Sequence, residues 1–578
     1  MTFTEALRIA RGIVPGARPF EIVLACGFTP LHLQTFLCAH VRQRMTDRGV
    51  RISTGLFGDV AGTVEAVSAG TDALAVALEW SDLDPRLGFR EATRWAGAAA
   101  DILVTVRGKL ERLRAAFRAL PAGVTAALCM PSLPLPPLFH TRGDEAGDSE
   151  LCLTSLIAAA AADFAQDGVA VVNSARLAET SPARERYCLK SDLITGLPYS
   201  MGHVDAVASA LGALLLPPAP KKGIITDLDD TLWSGIVGDA GWENVCWGPT
   251  GVEAVHGVYQ RLLAALADDG VLIAVASKND PAQVQKAFER EDILIGLNRL
   301  FPLEVHWNAK SASVERVLRA WNVGADSVIF VDDSPMELAE VAAAHPAIEC
   351  IQFPRGDCDA ALAMFRRLRD LCGKHRLSGE DRIRGESLRR ASEFREMASA
   401  ESASEDFLRG IDARISFDWL TPNADPRILE LVNKTNQFNL NGIRHEESEW
   451  TRALEKPGAM LAVVAYEDRF GPLGRIAVVR GRREAGTLHV DVWVMSCRAF
   501  ARRIEHQCIQ SIFDRYDVDR ITFEYKPTAR NGPLQQFFSG LSTEAGDGCL
   551  ALSRSEWEKK RPALTHQVTE VRRAQANG

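Results

Sequence analysis

Short, continuous apolar runs that end in polar clusters recur along the chain. Those at 223–226, 271–276 and 327–331 have no polar alternation, which predicts strands buried on both faces of a parallel sheet. Similar runs alternate with Ala-rich helical stretches in the first 218 residues, at 21–25, 73–78, 124–129 and 169–172. This alternation predicts a second parallel α/β sheet.

The pattern changes to α+β near the C-terminal end. We predict strands at 459–466, 475–479, 488–495 and 521–525, and a helix at 501–514. Three prolines within 214–222 mark a domain boundary. The sequence therefore predicts a multidomain α/β protein with four parts: an α/β domain at 1–218, a Rossmann-like α/β domain at 219–372, a charged helical connector at 373–410 and an α+β domain at 411–578.

Polar side chains follow the apolar runs of the second domain. Ligands bind at the carboxyl ends of strands in open α/β sheets, so these residues are candidates for one site. The first run is followed by Asp227, Asp229 and Thr231, the second by Ser277, Lys278 and Asn279, and the third by Asp332 and Asp333, while Lys310 precedes a helix predicted at 314–321. Paired carboxylates of this kind suit a nucleophile, a proton donor and a bound cation.

Composition excludes several classes of function. The 578 residues carry a net charge of −9, which gives no basic footprint for nucleic acid. No apolar run approaches the length of a membrane span, and the N-terminus lacks a signal-peptide core. The twelve cysteines form no Cys-x-x-Cys pair, which argues against zinc and disulfides. We therefore predict a cytoplasmic protein with no nucleic-acid or membrane partner.

The ordered series Asp-x-Asp-x-Thr, Ser, Lys and Asp-Asp resembles the haloacid-dehalogenase (HAD) superfamily of phosphatases and phosphotransferases. The resemblance implies that Asp227 is a nucleophile that forms an aspartyl-phosphate. It implies that Asp229 protonates the leaving oxygen and later activates water. Ser277 and Lys310 would hold the phosphoryl oxygens.

The same resemblance implies a Mg²⁺ site and substrate contacts. The metal ligands would be Asp227, Asp332, Asp333 and Asp229, the last through its main-chain carbonyl. The predicted substrate-binding residues are Thr231, which also orients the loop through its hydroxyl, Lys278 and Asn279. Only the short stretch 234–251 is available for a cap, so the site is expected to be open to a large substrate such as a phosphopantetheine arm.

The first domain resembles the SGNH-hydrolase-like domain that precedes HAD domains of one subfamily. Cys26-Gly27 stands near the position where that family has its serine, and the serine and Asp-x-x-His signatures are absent. Cys26 is either a thiol nucleophile or acyl carrier assisted by His203, or a small buried residue at a strand end. The missing signatures favour the buried residue.

The C-terminal stretches Lys434–Asn439, 468–471, 496–498 and 525–531, together with Thr-Asp-Leu-Asp-Asp-Thr-Leu-Trp, resemble the FkbH-like proteins of the HAD-IIIC subfamily. That resemblance implies a GNAT-like C-terminal fold. It implies transfer of a glyceryl unit from 1,3-bisphosphoglycerate, a small phosphorylated three-carbon substrate, to an acyl carrier protein in polyketide-type biosynthesis. Ala501 and Arg503 replace glycines that the family favours, which weakens the case for CoA binding.

Cys497, in Ser496-Cys497-Arg498, is the candidate catalytic thiol that holds the acyl group. Its basic neighbours would lower its pKa, and a buried structural cysteine is the alternative. Two other functions remain open for the whole chain. One is a HAD phosphatase or phosphotransferase that acts on a free phosphoester, and the other is an interaction protein that docks a synthase.

Overall fold

The structure is a computed structural model of the full chain. It describes residues 1–12, 18–90, 99–136, 144–248, 250–375, 377, 384–390, 409–419, 426–435, 438–469, 471–484, 486–496, 499–500, 502–528, 531–541, 544–546 and 549–570. The chain forms two compact units, Met1–Pro218 and Ala219–Gly578. Within these ranges, none of the helices combines the length and the apolar character that crossing a bilayer requires.

The first unit is built on a parallel five-stranded sheet in the order β2-β1-β3-β4-β5. Its strands are β1 (Phe20–Cys26), β2 (Val50–Thr54), β3 (Ala73–Ala77), β4 (Thr125–Cys129) and β5 (Ala170–Val171). Its helices are Phe3–Ala10, Leu31–Arg44, Val60–Glu65, Trp80–Leu83, Ala99–Arg118, Asp148–Gln166, Ser174–Thr180, Leu189–Thr195 and Met201–Leu215. Every residue of β3 is buried, as expected for a central parallel strand.

The second unit contains another parallel sheet, in the order β10-β9-β6-β7-β8. Its strands are β6 (Gly223–Thr226), β7 (Leu272–Ser277), β8 (Leu300–Val305), β9 (Val328–Asp332) and β10 (Glu349–Gln352). The accompanying helices are Val237–Ala240, Ala254–Asp268, Pro281–Phe288, Lys310–Trp321, Pro335–Ala344 and Cys358–Cys372. The three strands predicted to carry chemistry are therefore the adjacent central strands β9, β6 and β7.

The second unit also contains a mixed sheet that runs β17-β18-β16-β15-β14-β13-β11-β19, with β12 paired to β15. Its strands are β11 (Arg414–Trp419), β12 (Phe438–Asn439), β13 (Ala459–Asp468), β14 (Gly471–Glu484), β15 (Thr487–Met495), β16 (Arg520–Phe523), β17 (Glu544–Gly546), β18 (Cys549–Ser553) and β19 (Gln567–Glu570). Its helices are Pro426–Lys434, Glu447–Leu454, Ile504–Tyr516, Gly532–Ser539 and Arg554–Lys560. The α+β pattern predicted for this region is confirmed.

Some elements differ from the sequence predictions. β2 and β8 were not predicted because both are edge strands whose polar or proline residues interrupt the apolar run. The strand predicted at 475–479 extends over Gly471–Glu484, because β13 and β15 pair with it on both sides. The helix predicted at 314–321 begins four residues earlier, at Lys310.

Candidate functional site

The carboxyl ends of β6, β7 and β9 bring most of the predicted residues to one edge of the sheet. Asp227 follows β6 directly, and its backbone N–H donates to the carbonyl of Val331 in β9 at 3.0 Å. Ser277 is the last residue of β7 and is buried. Asp332 ends β9. Adjacent parallel strands thus supply the nucleophile candidate, the hydroxyl and a metal-ligand candidate.

Lys310 lies between two of these carboxylates. Its ammonium is 3.0 Å from Asp227 Oδ2 and 2.5 Å from Asp332 Oδ2, and all three side chains are buried. The other oxygen of Asp332 accepts the backbone N–H of Ser334 at 2.9 Å. Asp227 Oδ1, in contrast, is buried with no hydrogen-bond partner among the described residues. One oxygen of the predicted nucleophile therefore has no internal partner.

Burial determines the protonation behaviour of this group. It raises the pKa of Asp227, Lys310 opposes that rise, and the nearby Asp332 adds to it. Burial likewise raises the pKa of Asp332, again against the effect of Lys310. For Lys310, burial alone would lower the pKa, but the two carboxylates outweigh it and the pKa rises. The two carboxylates thus favour the charged form of Lys310, and its charge in turn opposes the rise in their pKa values.

Asp229 is held in a separate set of hydrogen bonds. Trp233 Nε1 donates to its Oδ1 at 2.9 Å, the Val237 N–H donates to the same oxygen at 3.3 Å, and Asn279 Nδ2 donates to Oδ2 at 2.8 Å. Burial nonetheless raises the pKa of Asp229, with these donors opposing the rise. A half-buried carboxyl with a raised pKa and a fixed orientation can act as a general acid.

Asp333 is fixed by Thr231 and Arg355. Its backbone N–H donates to Thr231 Oγ1 at 3.1 Å, and the Thr231 hydroxyl donates to Asp333 Oδ1 at 3.4 Å. Arg355 forms an ion pair with Asp333 and lies 3.2 Å from Asp230 Oδ2. Thr231 is fully buried and its hydroxyl contacts Asp333, as its predicted role in orienting the loop requires, and a substrate contact of Thr231 stays a prediction.

The remaining predicted substrate residues lie at the start of the β7 loop. Lys278 forms an ion pair with Glu337 at 2.9 Å and is one-third exposed, so its ammonium remains within reach of solvent. Asn279 is buried and uses its amide to hold Asp229. Asn279 therefore positions another site residue in this structure, and a direct substrate contact stays a prediction.

Three of the predicted metal ligands lie together. One carboxylate oxygen from each of Asp227, Asp332 and Asp333 falls within 4.8 Å of the other two. The carboxylate of Asp229 is outside this group, and the predicted role of its main-chain carbonyl remains a prediction. Oxygen ligands, including the unpartnered Asp227 Oδ1, are those that hard divalent cations prefer.

The charge of this edge also suits a cation. Five carboxylates and two basic side chains meet there: Asp227, Asp229, Asp230, Asp332, Asp333, Lys310 and Arg355. If all are ionised, three negative charges remain uncompensated. A divalent cation would reduce the mutual repulsion of these carboxylates, so the residues present fit such an ion.

Sequence reasoning missed Arg355 and Trp233 as parts of the site. Arg355 lies three residues beyond β10, an edge strand that was not recognised, and its contacts depend on the loops after β6 and β9. Trp233 was not predicted to take part in the site, yet its indole N–H donates to the Asp229 carboxylate. Arg355 could have been found only if β10 had first been recognised as a strand of the same parallel sheet.

The two cysteine hypotheses have different outcomes. Cys497 lies outside the described residues, so its role stays a prediction. Arg502, a neighbour invoked to lower its pKa, is buried and forms an ion pair with Asp468 at 2.9 Å. Burial raises the pKa of Cys26 to about 12, and its thiol donates to the carbonyl of Phe28 at 3.4 Å. Cys26 is therefore a poor nucleophile.

His203 is also unavailable to assist Cys26. Its two ring nitrogens lie 2.8 Å from Ser132 Oγ and 2.9 Å from Ser181 Oγ. Ser132 in turn donates to Glu79, which also accepts from Tyr199. This buried chain satisfies its own polar groups, which favours the structural interpretation of both Cys26 and His203.

Comparisons with known proteins show the fold. No protein-family model and no curated protein matches the chain. A crystal structure of the N-terminal part of protein BF1531 from Bacteroides fragilis, which contains a phosphatase domain and is complexed with Mg, aligns with 65% of this chain and 100% of its own. The TM-score is 0.52 and the identity 18%. A phospholipase A1 from Streptomyces albidoflavus aligns with 35% of this chain and 98% of its own, at 14% identity and a TM-score of 0.23, too low to bear on the fold. The BF1531 likeness confirms the predicted multidomain α/β fold.

Proposed function

We propose that the second unit is a Mg²⁺-dependent phosphatase centre in which Asp227 is the nucleophile. The observation that carries this proposal is the buried, unpartnered Oδ1 of Asp227 beside Lys310, at the carboxyl edge of a parallel sheet. The similar structure of BF1531 contains a phosphatase domain and Mg, which supports the same chemistry here.

The residues divide the reaction between them. Asp227 attacks phosphorus, its oxygen bonds to the phosphoryl group, and the bond from phosphorus to the leaving oxygen breaks. Asp229 gives its proton to that leaving oxygen, as its raised pKa allows, and then accepts a proton from the water that hydrolyses the aspartyl-phosphate. Lys310 and Ser277 stabilise the charge on the phosphoryl oxygens.

Mg²⁺ would be held by Asp227, Asp332 and Asp333. A bound divalent cation supplies positive charge that offsets the phosphoryl oxygens and allows the carboxylates to stay ionised. Thr231 fixes Asp333 through two hydrogen bonds, so the orientation of that ligand is set before the ion binds.

The finer proposal is that the chain is an FkbH-like glyceryl transferase. A thiol would attack the acyl carbon of 1,3-bisphosphoglycerate and release phosphate, and the Asp227 centre would remove the second phosphate, leaving a glyceryl thioester on an acyl carrier protein. Cys497 is the proposed holding thiol. The proposed organisation is an SGNH-like domain at 1–218, a HAD domain at 219–372, a connector at 373–410 and a GNAT-like domain at 411–578.

Two experiments separate the coarse and the fine proposals. Phosphate release from p-nitrophenyl phosphate by the full chain with Mg²⁺ tests the phosphatase centre, and Asp227→Asn should abolish it. The intact mass of a holo carrier protein, measured after incubation with 1,3-bisphosphoglycerate, tests the transferase. A glyceryl gain that Asp227→Asn lacks supports transfer. Phosphate release without any gain in carrier mass would support a phosphatase that acts on free phosphoesters. If neither phosphate release nor a mass gain is seen, the interpretation as a docking protein is favoured.

A further inference from the structure

Three side chains that contact one another, from strand β14, helix Glu447–Leu454 and the loop before that helix, each have a buried nitrogen atom without a hydrogen-bond partner among the described residues. These atoms are Nη1 of Arg480, Nε1 of Trp450 and Nε2 of His445. The guanidinium carbon of Arg480 is 4.5 Å from the centre of the Trp450 ring, and the His445 and Trp450 rings are 5.8 Å apart. Arg480 and Trp450 are 5% and 3% exposed.

The cluster is held rigidly by its surroundings. Arg480 in β14 donates through Nε and Nη2 to the two oxygens of Asp491, at 3.1 and 2.7 Å. Asp491 is an extra residue in β15, where the pairing with β14 shifts register after Arg480. The loop that carries His445 is fixed to Asn433, which exchanges two 2.9 Å hydrogen bonds with the His445 backbone. The Arg480 guanidinium and the backbone of the His445 loop are therefore held in place.

Leaving such groups unpaired is costly, so the cluster calls for an acceptor. A buried donor without a partner costs roughly 1–3 kcal/mol. Trp450 Nε1 and Arg480 Nη1 can only donate, because neither carries a free lone pair. Burial, and then Arg480, lowers the pKa of His445, which makes the ring neutral and lets Nε2 either donate or accept.

The local charge restricts the class of ligand. Asp491 already neutralises Arg480. Burial raises the pKa of Glu524, and the nearby charge of Asp491 raises it further, so a second carboxyl lies close to the cluster. A full negative charge would meet uncompensated repulsion there. A neutral group with a carbonyl oxygen and an N–H matches this cluster, because Trp450 and Arg480 can only donate hydrogen bonds and His445 Nε2 can accept one.

We propose that Arg480, Trp450 and His445 form a binding site for an uncharged amide group of a small ligand. The amide oxygen accepts from Trp450 Nε1 and Arg480 Nη1, and the amide N–H donates to His445 Nε2. This site is separate from the phosphatase chemistry and does not depend on it, because none of its residues lies on the parallel sheet of Asp227.

The test is a titration of the full chain, labelled with ¹⁵N-tryptophan and followed through its indole N–H signals. The chain has eleven tryptophans, and Trp450→Phe identifies the signal of residue 450 while keeping the ring over Arg480. Two neutral amide probes, pantetheine and N-acetylglycinamide, distinguish an extended amide ligand from a peptide-like one. Glycerate serves as the anionic probe.

We expect an amide probe to move the Trp450 signal downfield and to bind roughly 2- to 12-fold more weakly to Trp450→Phe, as the loss of one neutral hydrogen bond requires. Trp419→Phe is the matched control, since Trp419 Nε1 is also buried without a partner among the described residues but lies outside the cluster. The affinity of the Trp419→Phe variant for the amide probe should be unchanged. The proposal is overturned if neither amide moves any of the indole signals, or if glycerate alone moves one. The wild-type titration gives this answer even if the variant fails to fold.

Discussion

Replacing Lys310 by methionine tests the electrostatics of the aspartate site. The substitution keeps a similar volume but removes the ammonium that lies 3.0 Å from Asp227 and 2.5 Å from Asp332. Removing one member of a buried ion pair costs about 3–5 kcal/mol, because the remaining charge loses its partner in a medium of low polarity. Two carboxylates lose their partner here, so we expect a cost in the upper part of that range.

Protons and Mg²⁺ should each reduce that cost. The pKa values of Asp227 and Asp332 are already raised by burial, and without Lys310 they rise further. Carboxyls with folded pKa values above those of the unfolded chain destabilise the protein at high pH, and this penalty disappears as pH falls through the folded values. The Lys310→Met deficit should therefore be larger at pH 8 than at pH 5.5. Added Mg²⁺ should stabilise the variant more than the wild type.

Urea unfolding with and without Mg²⁺, at both pH values, measures these effects. Lys286→Met is the matched control, because Lys286 is exposed on helix Pro281–Phe288. We expect Lys310→Met to lose phosphatase turnover by roughly 100-fold or more as well, since it removes the cation that we propose to stabilise the transferred phosphoryl oxygens. The reasoning fails if Lys310→Met is no less stable than Lys286→Met, or if its deficit is the same at both pH values.

Three further predictions concern other contacts. Asn279→Ala removes a hydrogen-bond donor to the Asp229 carboxylate, so the pKa of Asp229 should rise. Any limb of the pH–rate profile that Asp229 controls should then move to higher pH. A limb that does not move would show that this hydrogen bond has no effect on catalysis. Burial lowers the pKa of His203 from 6.5 to about 3, so the unfolded chain binds more protons than the folded chain between those pH values. The free energy of unfolding should therefore fall by up to about 4 kcal/mol as pH drops through that window. Hydrogen exchange in helix Met201–Leu215 should detect this fall, and His203→Gln should make it smaller. Gly223→Ala places a methyl group against a buried tryptophan ring and should cost about 1–3 kcal/mol in urea unfolding, whereas Gly238→Ala, which has open space around it, should not.

The parallel core and its strand-end residues could be predicted because both depend on local pattern. A continuous apolar run is sufficient to indicate a central strand, and Asp227 and Asp332 lie within one residue of such runs. The prediction that these aspartates lie close together followed from the rule that ligand-binding residues gather at the carboxyl ends of the strands in an open α/β sheet. The sequence did not show which group each carboxylate would contact.

The missed features depend on contacts between distant residues. Thr231 was predicted to orient the loop through its hydroxyl, but no local pattern could identify Asp333, 102 positions away, as its partner. Arg480 is close in sequence to the exposed Arg482 and Arg483, and nothing local in the sequence shows that Arg480 is buried beneath Trp450. Burial of a charged side chain follows from the partner that the fold supplies, here Asp491.

The most direct test of the central claim is the intact mass of the enzyme, quenched in acid during turnover of p-nitrophenyl phosphate with Mg²⁺. The Asp229→Asn variant should accumulate one phosphoryl group, because this leaving group needs little help from an acid whereas hydrolysis of the aspartyl-phosphate needs the base. Peptide mapping should place that group on Asp227, and Asp227→Asn should carry none. A phosphoryl group on another residue, or wild-type phosphate release by Asp227→Asn, would contradict the assignment of Asp227 as the nucleophile.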